Sequence, residues 1–141
     1  MSKMAVFCLL AALLLPVLAA CAQAKQAPAA VQVSCEEFEK NNQISRAIEV
    51  PAGSTFTLSL CSNPTTGFGW EEAKIADGAV VKQASRRSEA ATAGKVGSPG
   101  QEVWTFSALK QGETAISMAY SRPWQGGEKG VWTVTLTVRV K

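Results

Sequence analysis

From Ile44 onward the chain alternates between apolar and polar residues. Ile44, Ile48 and Val50 are separated by polar positions, and Pro51-Ala52-Gly53-Ser54 ends the run. Phe56, Leu58 and Leu60 then alternate with Thr55, Thr57 and Ser59. Trp104, Phe106 and Ala108 alternate with Val103, Thr105 and Ser107. Thr114, Ile116, Met118 and Tyr120 alternate with smaller residues. The last run is the cleanest, with Trp132, Val134, Leu136, Val138 and Val140 on one face and Thr133, Thr135, Thr137 and Arg139 on the other. A period of two marks strands with one face buried. It predicts seven strands, near 44–50, 55–61, 68–73, 78–83, 101–108, 113–120 and 131–140. Short strands with regular turns over about 100 residues describe an all-β, immunoglobulin-like antiparallel β-sandwich of about seven to eight strands. Its core would hold Trp70, Trp104, Phe106, Tyr120 and Trp132.

Strand parity sorts the connections. Successive strands of an antiparallel sandwich run in opposite directions, so alternate connections gather at one end. The first, third and fifth, 51–54, 74–77 and 109–112, are short and ordinary. The second, fourth and sixth, 62–67, 84–100 and 121–130, carry the unusual residues. Loops on the end of a rigid sandwich are where such folds place binding surfaces.

The alternation does not reach the first 43 residues. Lys3 precedes an almost wholly apolar stretch from Met4 to Leu18, broken by Pro16 and closed by Leu18-Ala19-Ala20-Cys21. This reads as a secretory signal, not a spanning helix. The chain therefore divides into a signal peptide (1–20), a tether and N-terminal cap (21–43) and a sandwich domain (44–141). Small residues directly before Cys21 resemble the cut site of bacterial lipoproteins, and the resemblance implies a lipid on that sulfur. The other expectation is an ordinary cut after Ala22-Gln23-Ala24, which would leave a soluble protein. Ala22 is not the aspartate that retains lipoproteins in the inner membrane of Gram-negative cells. In such a cell the outer membrane, facing the periplasm, is expected. Residues 22–34 are mostly Ala, Gln, Val and Pro and read as a tether without a packed core of its own, and Cys35 to Asn42 as a short cap or turn. Cys8 is lost with the signal, which leaves Cys35 and Cys61. They either stay free or pair, and in an oxidising compartment a bridge is expected.

Composition narrows the chemistry. There is no histidine, which excludes Ser-His-Asp and Cys-His nucleophiles and removes the commonest zinc ligand. Asp77 is the only aspartate, so no EF-hand loop is possible. No metal and no cofactor is expected. Of 14 basic and 11 acidic side chains only Lys3 lies in the signal, which leaves a formal +2. That charge forms no stripe, so no nucleic-acid partner is expected. Arg86-Arg87 is the only basic doublet and reads as part of a solvated loop. Glu71 and Glu72 are the best carboxylate pair, yet adjacent strand residues point to opposite faces and cannot easily share a site. No enzyme is expected.

Three motifs remain. Asn63-Pro64-Thr65-Thr66-Gly67-Phe68 is a tight loop, because Pro64 fixes φ and Gly67 permits positive φ. Gly97-Ser98-Pro99-Gly100 closes a stretch rich in Ala, Gly, Ser and charges. Arg122-Pro123-Trp124 places two hot-spot residue types in a connection that cannot join the alternating core pattern. In this order and spacing the three resemble the chagasin family of cysteine peptidase inhibitors, over about Ile44 to Lys141. The family is marked by an Asn-Pro-Thr-Thr-Gly-aromatic loop, a Gly-rich loop and an Arg-Pro-Trp loop on an immunoglobulin-like sandwich. Phe68 stands where a tyrosine is common, and Pro99 where the family usually has glycine in a Gly-x-Gly-Gly pattern.

The resemblance implies a monomer that blocks papain-like cysteine peptidases reversibly, competitively and without a covalent bond. The first loop would lie over the target's catalytic pair, with Thr65 and Thr66 nearest the nucleophile. The second would follow the substrate groove, and Arg122 and Trp124 would clamp the far side of the cleft. The alternative is an envelope lipoprotein of the same fold that holds another partner and inhibits nothing. The N-terminal pattern carries its own test. Cys21→Ala should release the protein from membranes. A wild-type protein that already fractionates as soluble, with Lys25 at its N-terminus, would exclude the lipid.

Overall fold

The computed structural model describes residues 27–91 and 95–141. The signal peptide and Cys21 lie outside them. In chain order the elements are β1 (Ala29–Val33), α1 (Cys35–Lys40), β2 (Gln43–Val50), β3 (Thr55–Ser62), β4 (Gly69–Trp70), β5 (Lys74–Ile75), β6 (Val81–Glu89), β7 (Gly100–Ala108), β8 (Gly112–Ser121) and β9 (Trp132–Val140). One sheet runs β1-β3-β7-β6; the other runs β2-β9-β8-β4, with β5 also paired to β8. The apolar parity of each strand supplies the space between the sheets. Phe56, Leu58 and Leu60 of β3 and Trp104 and Phe106 of β7 are fully buried, as are Ile116 of β8 and Leu136 and Val138 of β9. Each such side chain contributes about 1.5–3 kcal/mol by leaving water. Trp70 and Tyr120 are buried as well, and Trp132 packs partly buried against the same core. The threonines of β9 occupy its outer face.

The structure departs from the sequence pattern in four places. Ala29–Val33, within the stretch expected to be a tether, forms β1 and buries Val31 and Val33. Only Val31, Gln32 and Val33 alternate, too few residues to signal a strand, and the strand exists through its pairing with β3. Secondly, two edge pairings are parallel, β1 with β3 and β2 with β9; the remaining ladders are antiparallel. Thirdly, the strand expected at 68–73 is two short pieces, β4 and β5, both on β8. Lastly, β6 continues to Glu89, so the first six residues of the stretch expected to be loop are strand. Arg86 belongs to that strand and its side chain is partly covered and ion-paired, unlike the solvated loop residue expected.

Helix α1 has a local cause. The Ser34 side chain accepts from the Glu37 amide while the Glu37 carboxylate accepts from the Ser34 amide at 2.9 Å. This reciprocal cap satisfies two donors that the helix cannot. The Ser34 amide, aided by Arg46, holds the Glu37 carboxyl below the usual carboxylate range. The helix drives Phe38 into the core. A disulfide joins Cys35, the first helical residue, to Cys61 near the end of β3, with a Cα–Cα distance of 5.1 Å. Closing a loop of that length stabilises by about 3–4 kcal/mol on the chain-entropy model. Cys35→Ser with Cys61→Ser should lose most of that amount in chemical denaturation. Mass spectrometry of non-reduced peptides provides the direct check; free thiols at both positions in protein purified without reductant would contradict the bridge.

Candidate functional site

The two ends of the sandwich differ. At one end, connections 51–54, 76–80 and 109–111 are knitted by backbone hydrogen bonds. The Ala52 amide donates to the Lys141 carbonyl, Gly53 to Ala108 and Leu109 to Val80, each at 2.8 Å. The opposite end carries the connections 63–68, 90–99 and 122–131, called loops 1, 2 and 3 below. Residues 92–94 of loop 2 lie outside the described residues.

Loop 1 is closed on itself. Pro64–Thr66 forms one turn of 3-10 helix, with the Thr66 amide donating to the Asn63 carbonyl and Gly67 to Pro64. Thr65 and Thr66 are exposed at the tip, but both hydroxyls turn back. Thr65 Oγ1 donates to Asn63 Oδ1 at 2.6 Å and Thr66 Oγ1 to the Asn63 carbonyl at 2.7 Å. Local bonds of this kind stiffen a loop. They leave it to present its backbone and shape. The Asn63 amide donates to the Tyr120 hydroxyl at 2.8 Å, which pins the loop to the core.

Loops 2 and 3 meet loop 1 directly. Asn63 Nδ2 donates to the Gly97 carbonyl at 3.1 Å. Among the described residues of loop 2 the positive φ lies at Gly97, at 86°, so Pro99 is not asked for a conformation that its ring forbids. Gly100 already belongs to β7, where a Cβ would come within 2.2 Å of the Glu89 carbonyl oxygen. In loop 3 the Gly127 amide donates to the Trp124 carbonyl, and the Lys129 ammonium donates to the Arg122 carbonyl. The Arg122 guanidinium lies 4.3 Å from the centre of the Phe68 ring and 5.7 Å from that of Trp124. Trp124 is 52% exposed, with its six-membered ring resting on Gly67.

Below the loops the aromatic rings stack in a column. Phe38 lies on Trp132 at 4.7 Å, Trp132 on Tyr120 at 4.8 Å and Tyr120 on Phe68 at 5.6 Å between ring centres. The column runs from α1 through the β8–β9 pair to Arg122. Grooves open on both sides of loop 1. One of about 530 Å³ has Pro64, Thr65, Ser98 and Gly100 in its walls; the other, about 450 Å³, has Asn63, Thr66, Phe68 and Arg122. The end is a ridge flanked by grooves, a shape suited to entering a cleft. Among the described residues no three His, Cys, Asp or Glu side chains converge as a metal site.

The sequence profile of the Chagasin family peptidase inhibitor I42 matches residues 49–138. The chain belongs to the chagasin family of peptidase inhibitors. That is a family of inhibitors, not of enzymes. Amoebiasin-2 of Entamoeba histolytica is 31% identical to this chagasin-family chain over 84 residues, 60% of the chain and 68% of amoebiasin-2. Among solved structures, the cysteine protease inhibitor EhICP2 from Entamoeba histolytica aligns with 80% of this chain and 95% of its own at a TM-score of 0.57 and 23% identity. PbICP-C, solved in complex with falcipain-2, aligns with 80% of this chain and 99% of its own at a TM-score of 0.60 and 15% identity. At these identities the structural likeness carries the β-sandwich fold.

All thirteen residues singled out in the three motifs sit in or beside the three loops. Sequence reasoning missed α1 with Phe38, the Tyr120 hydroxyl and Arg86. The signal for α1 was present as Ser34-x-x-Glu37, a capping box. The loop contacts predict the effect of one methyl group. Gly67 has φ 78°, and a Cβ there would stand 2.7 Å from Trp124 Cη2. Gly67→Ala should therefore cost about 1–3 kcal/mol of stability in denaturant titration and displace Trp124, seen as a change in tryptophan emission. Unchanged stability and emission would mean that Trp124 does not rest on loop 1.

Proposed function

We propose that this chagasin-family protein is a reversible, non-covalent, competitive inhibitor of papain-like cysteine peptidases that occludes the active-site cleft with loops 1, 2 and 3. The observation that carries the reading is the direct contact among the three loops at one end, with Trp124 exposed beside them. The relatives agree with it. EhICP2 is a cysteine protease inhibitor, and PbICP-C was solved bound to falcipain-2.

Loop 1 is the wedge. Its tip would lie over the catalytic cysteine and histidine of the target, with Thr65 and Thr66 nearest the nucleophile. A peptidase cuts an extended strand, whereas Asn63 to Gly67 is a closed turn with two internal backbone hydrogen bonds. No scissile peptide is laid out for attack, so the complex is a dead end that dissociates intact. Loop 2 would run along the substrate groove. Arg122 and Trp124 would clamp the other wall, where a flat ring beside a guanidinium buries a large area with little loss of rotamer freedom. We further propose that the protein is exported and held in the cell envelope by a lipid on Cys21.

Titration of a papain-like peptidase with the 25–141 fragment tests the reading. The wild-type fragment should inhibit competitively and leave a serine peptidase untouched. Trp124→Ala should weaken inhibition by roughly 30- to 1,000-fold, because a desolvated Trp at an interface centre is worth about 2–4 kcal/mol. Its thermal midpoint should stay near the wild type. Trp104→Ala, in the core, should instead cost about 3–5 kcal/mol of folding stability. An inhibition constant unmoved by Trp124→Ala, or a wild-type fragment that slows no papain-like peptidase, would favour the non-inhibitory binding module.

A further inference from the structure

Strand β6 changes phase halfway along. Gln83 pairs with Phe106, but Ser85 pairs with Thr105 and Arg86 with Trp104, so one extra residue is accommodated between Gln83 and Ser85. Without it Ser85 would oppose Trp104, and Arg86 would face outward opposite Val103. A bulge re-aims every later side chain of its strand. Here it turns Arg86 toward the interior and leaves Arg87 outside, paired with Glu89.

Arg86 then meets four groups. Nε and Nη2 donate to Glu102 Oε2 at 2.8 and 2.6 Å, Nη2 donates to the Trp70 carbonyl at 2.8 Å, and Nη1 donates to Glu72 Oε1 at 3.1 Å. The guanidinium stands 5.1 Å from the Trp104 ring centre. The Glu102 side chain is only 11% exposed, and its other oxygen accepts from Ser62 Oγ at 3.1 Å. Both carboxylate oxygens are satisfied.

The positions of these partners matter more than their number. Ser62 is the last residue before loop 1, and Trp70 follows its end. Arg86 and Glu102 stand on the two stems of loop 2. Trp70 lies 5.0 Å from Tyr120, at the root of loop 3, and its indole donates to the Cys61 carbonyl at 2.9 Å. A partly buried ion pair is a poor way to stabilise a core, since apolar residues of like volume serve as well or better. What a forked guanidinium adds is direction: it fixes several acceptors in one plane.

We propose that Arg86 and Glu102 are positioning residues for peptidase inhibition. They hold the roots of loops 1 and 2 at the spacing in which the target cleft receives them. The proposal rests on the inhibitor reading for its consequence, but its structural half can be measured in the free protein.

The test compares wild type with the double variant Arg86→Met, Glu102→Met, and with Glu102→Gln. Three readouts are needed: thermal midpoint, amide hydrogen exchange of the free protein, and the inhibition constant against a papain-like peptidase. The double variant should keep the wild-type midpoint within a few degrees. Exchange should accelerate in segments 62–70 and 95–102 and stay unchanged in the β8–β9 ladder. Inhibition should weaken by about tenfold or more, mainly through slower association, because unfixed loops must be ordered on docking. Glu102→Gln, which retains shape and loses charge, should move both quantities the same way by less, and it decides the matter if the double variant does not fold. Unchanged exchange at both loop roots in a folded variant overturns the proposal. So does an unchanged inhibition constant. A wild-type protein that inhibits nothing removes the inhibitor reading, and the exchange result alone then decides whether the pair positions the loops.

Discussion

The stack of rings from Phe38 through Trp132, Tyr120 and Phe68 to the Arg122 guanidinium is the constraint on which the loop end depends. It begins on a short helix outside both sheets, crosses the β8–β9 ladder at the Tyr120–Trp132 pair and finishes beneath an exposed tryptophan. Each ring pair is worth about 0.5–1.5 kcal/mol beyond the area it buries, and a guanidinium over a ring about 0.5–2 kcal/mol. No single contact is large. Their continuity matters more, because Tyr120 also accepts the Asn63 amide and so couples loop 1 to the same column that supports loop 3. A displacement at one ring is felt by both loops.

Much of this is legible in the sequence, for a physical reason. Strands β3, β7, β8 and β9 bury one face, so their period is written locally in every second residue. The loops are equally local, since Pro64 and Gly67 announce a turn and Trp124 has no alternating partner. The missing parts depend on residues far apart in sequence. β1 is a strand only because β3 lies beside it, and its Ala-rich run carries almost no pattern of its own. Arg86 faces inward only because of a bulge, and no residue type marks a bulge reliably. The two short strands after loop 1 read as one in sequence, because both pair with β8 and only a one-residue change of register separates them. Helix α1 was different: its capping box was visible, yet six residues beside a presumed tether gave no period to confirm it.

The chemistry of the loop end follows from what its polar groups already do. The threonine hydroxyls, the Asn63 side chain and the Arg122 guanidinium are all engaged within the free protein. Docking therefore need not order them, and little of the interaction energy is lost to freezing side chains. Glycine serves the same end at two positions. Gly67 lets the Trp124 ring approach loop 1 closely, and Gly100 lets the stems of loop 2 approach more closely than any Cβ would permit. Rigidity is thus achieved by small residues and internal bonds rather than by bulk.

The direction of β1 has a geometric consequence. It runs parallel to β3, with Ala29 beside Phe56 and Val33 beside Leu60, so the chain enters the domain at the knitted end and travels toward the loops. Anything fastened upstream of Ala27 takes hold of the molecule at the pole opposite its ridge. A protein moored to a surface through Cys21 would stand with loops 1, 2 and 3 facing away from that surface, like a post with its working face uppermost. An enzyme approaching from the surrounding solution would meet those loops first, and the mooring would not have to be released for them to engage.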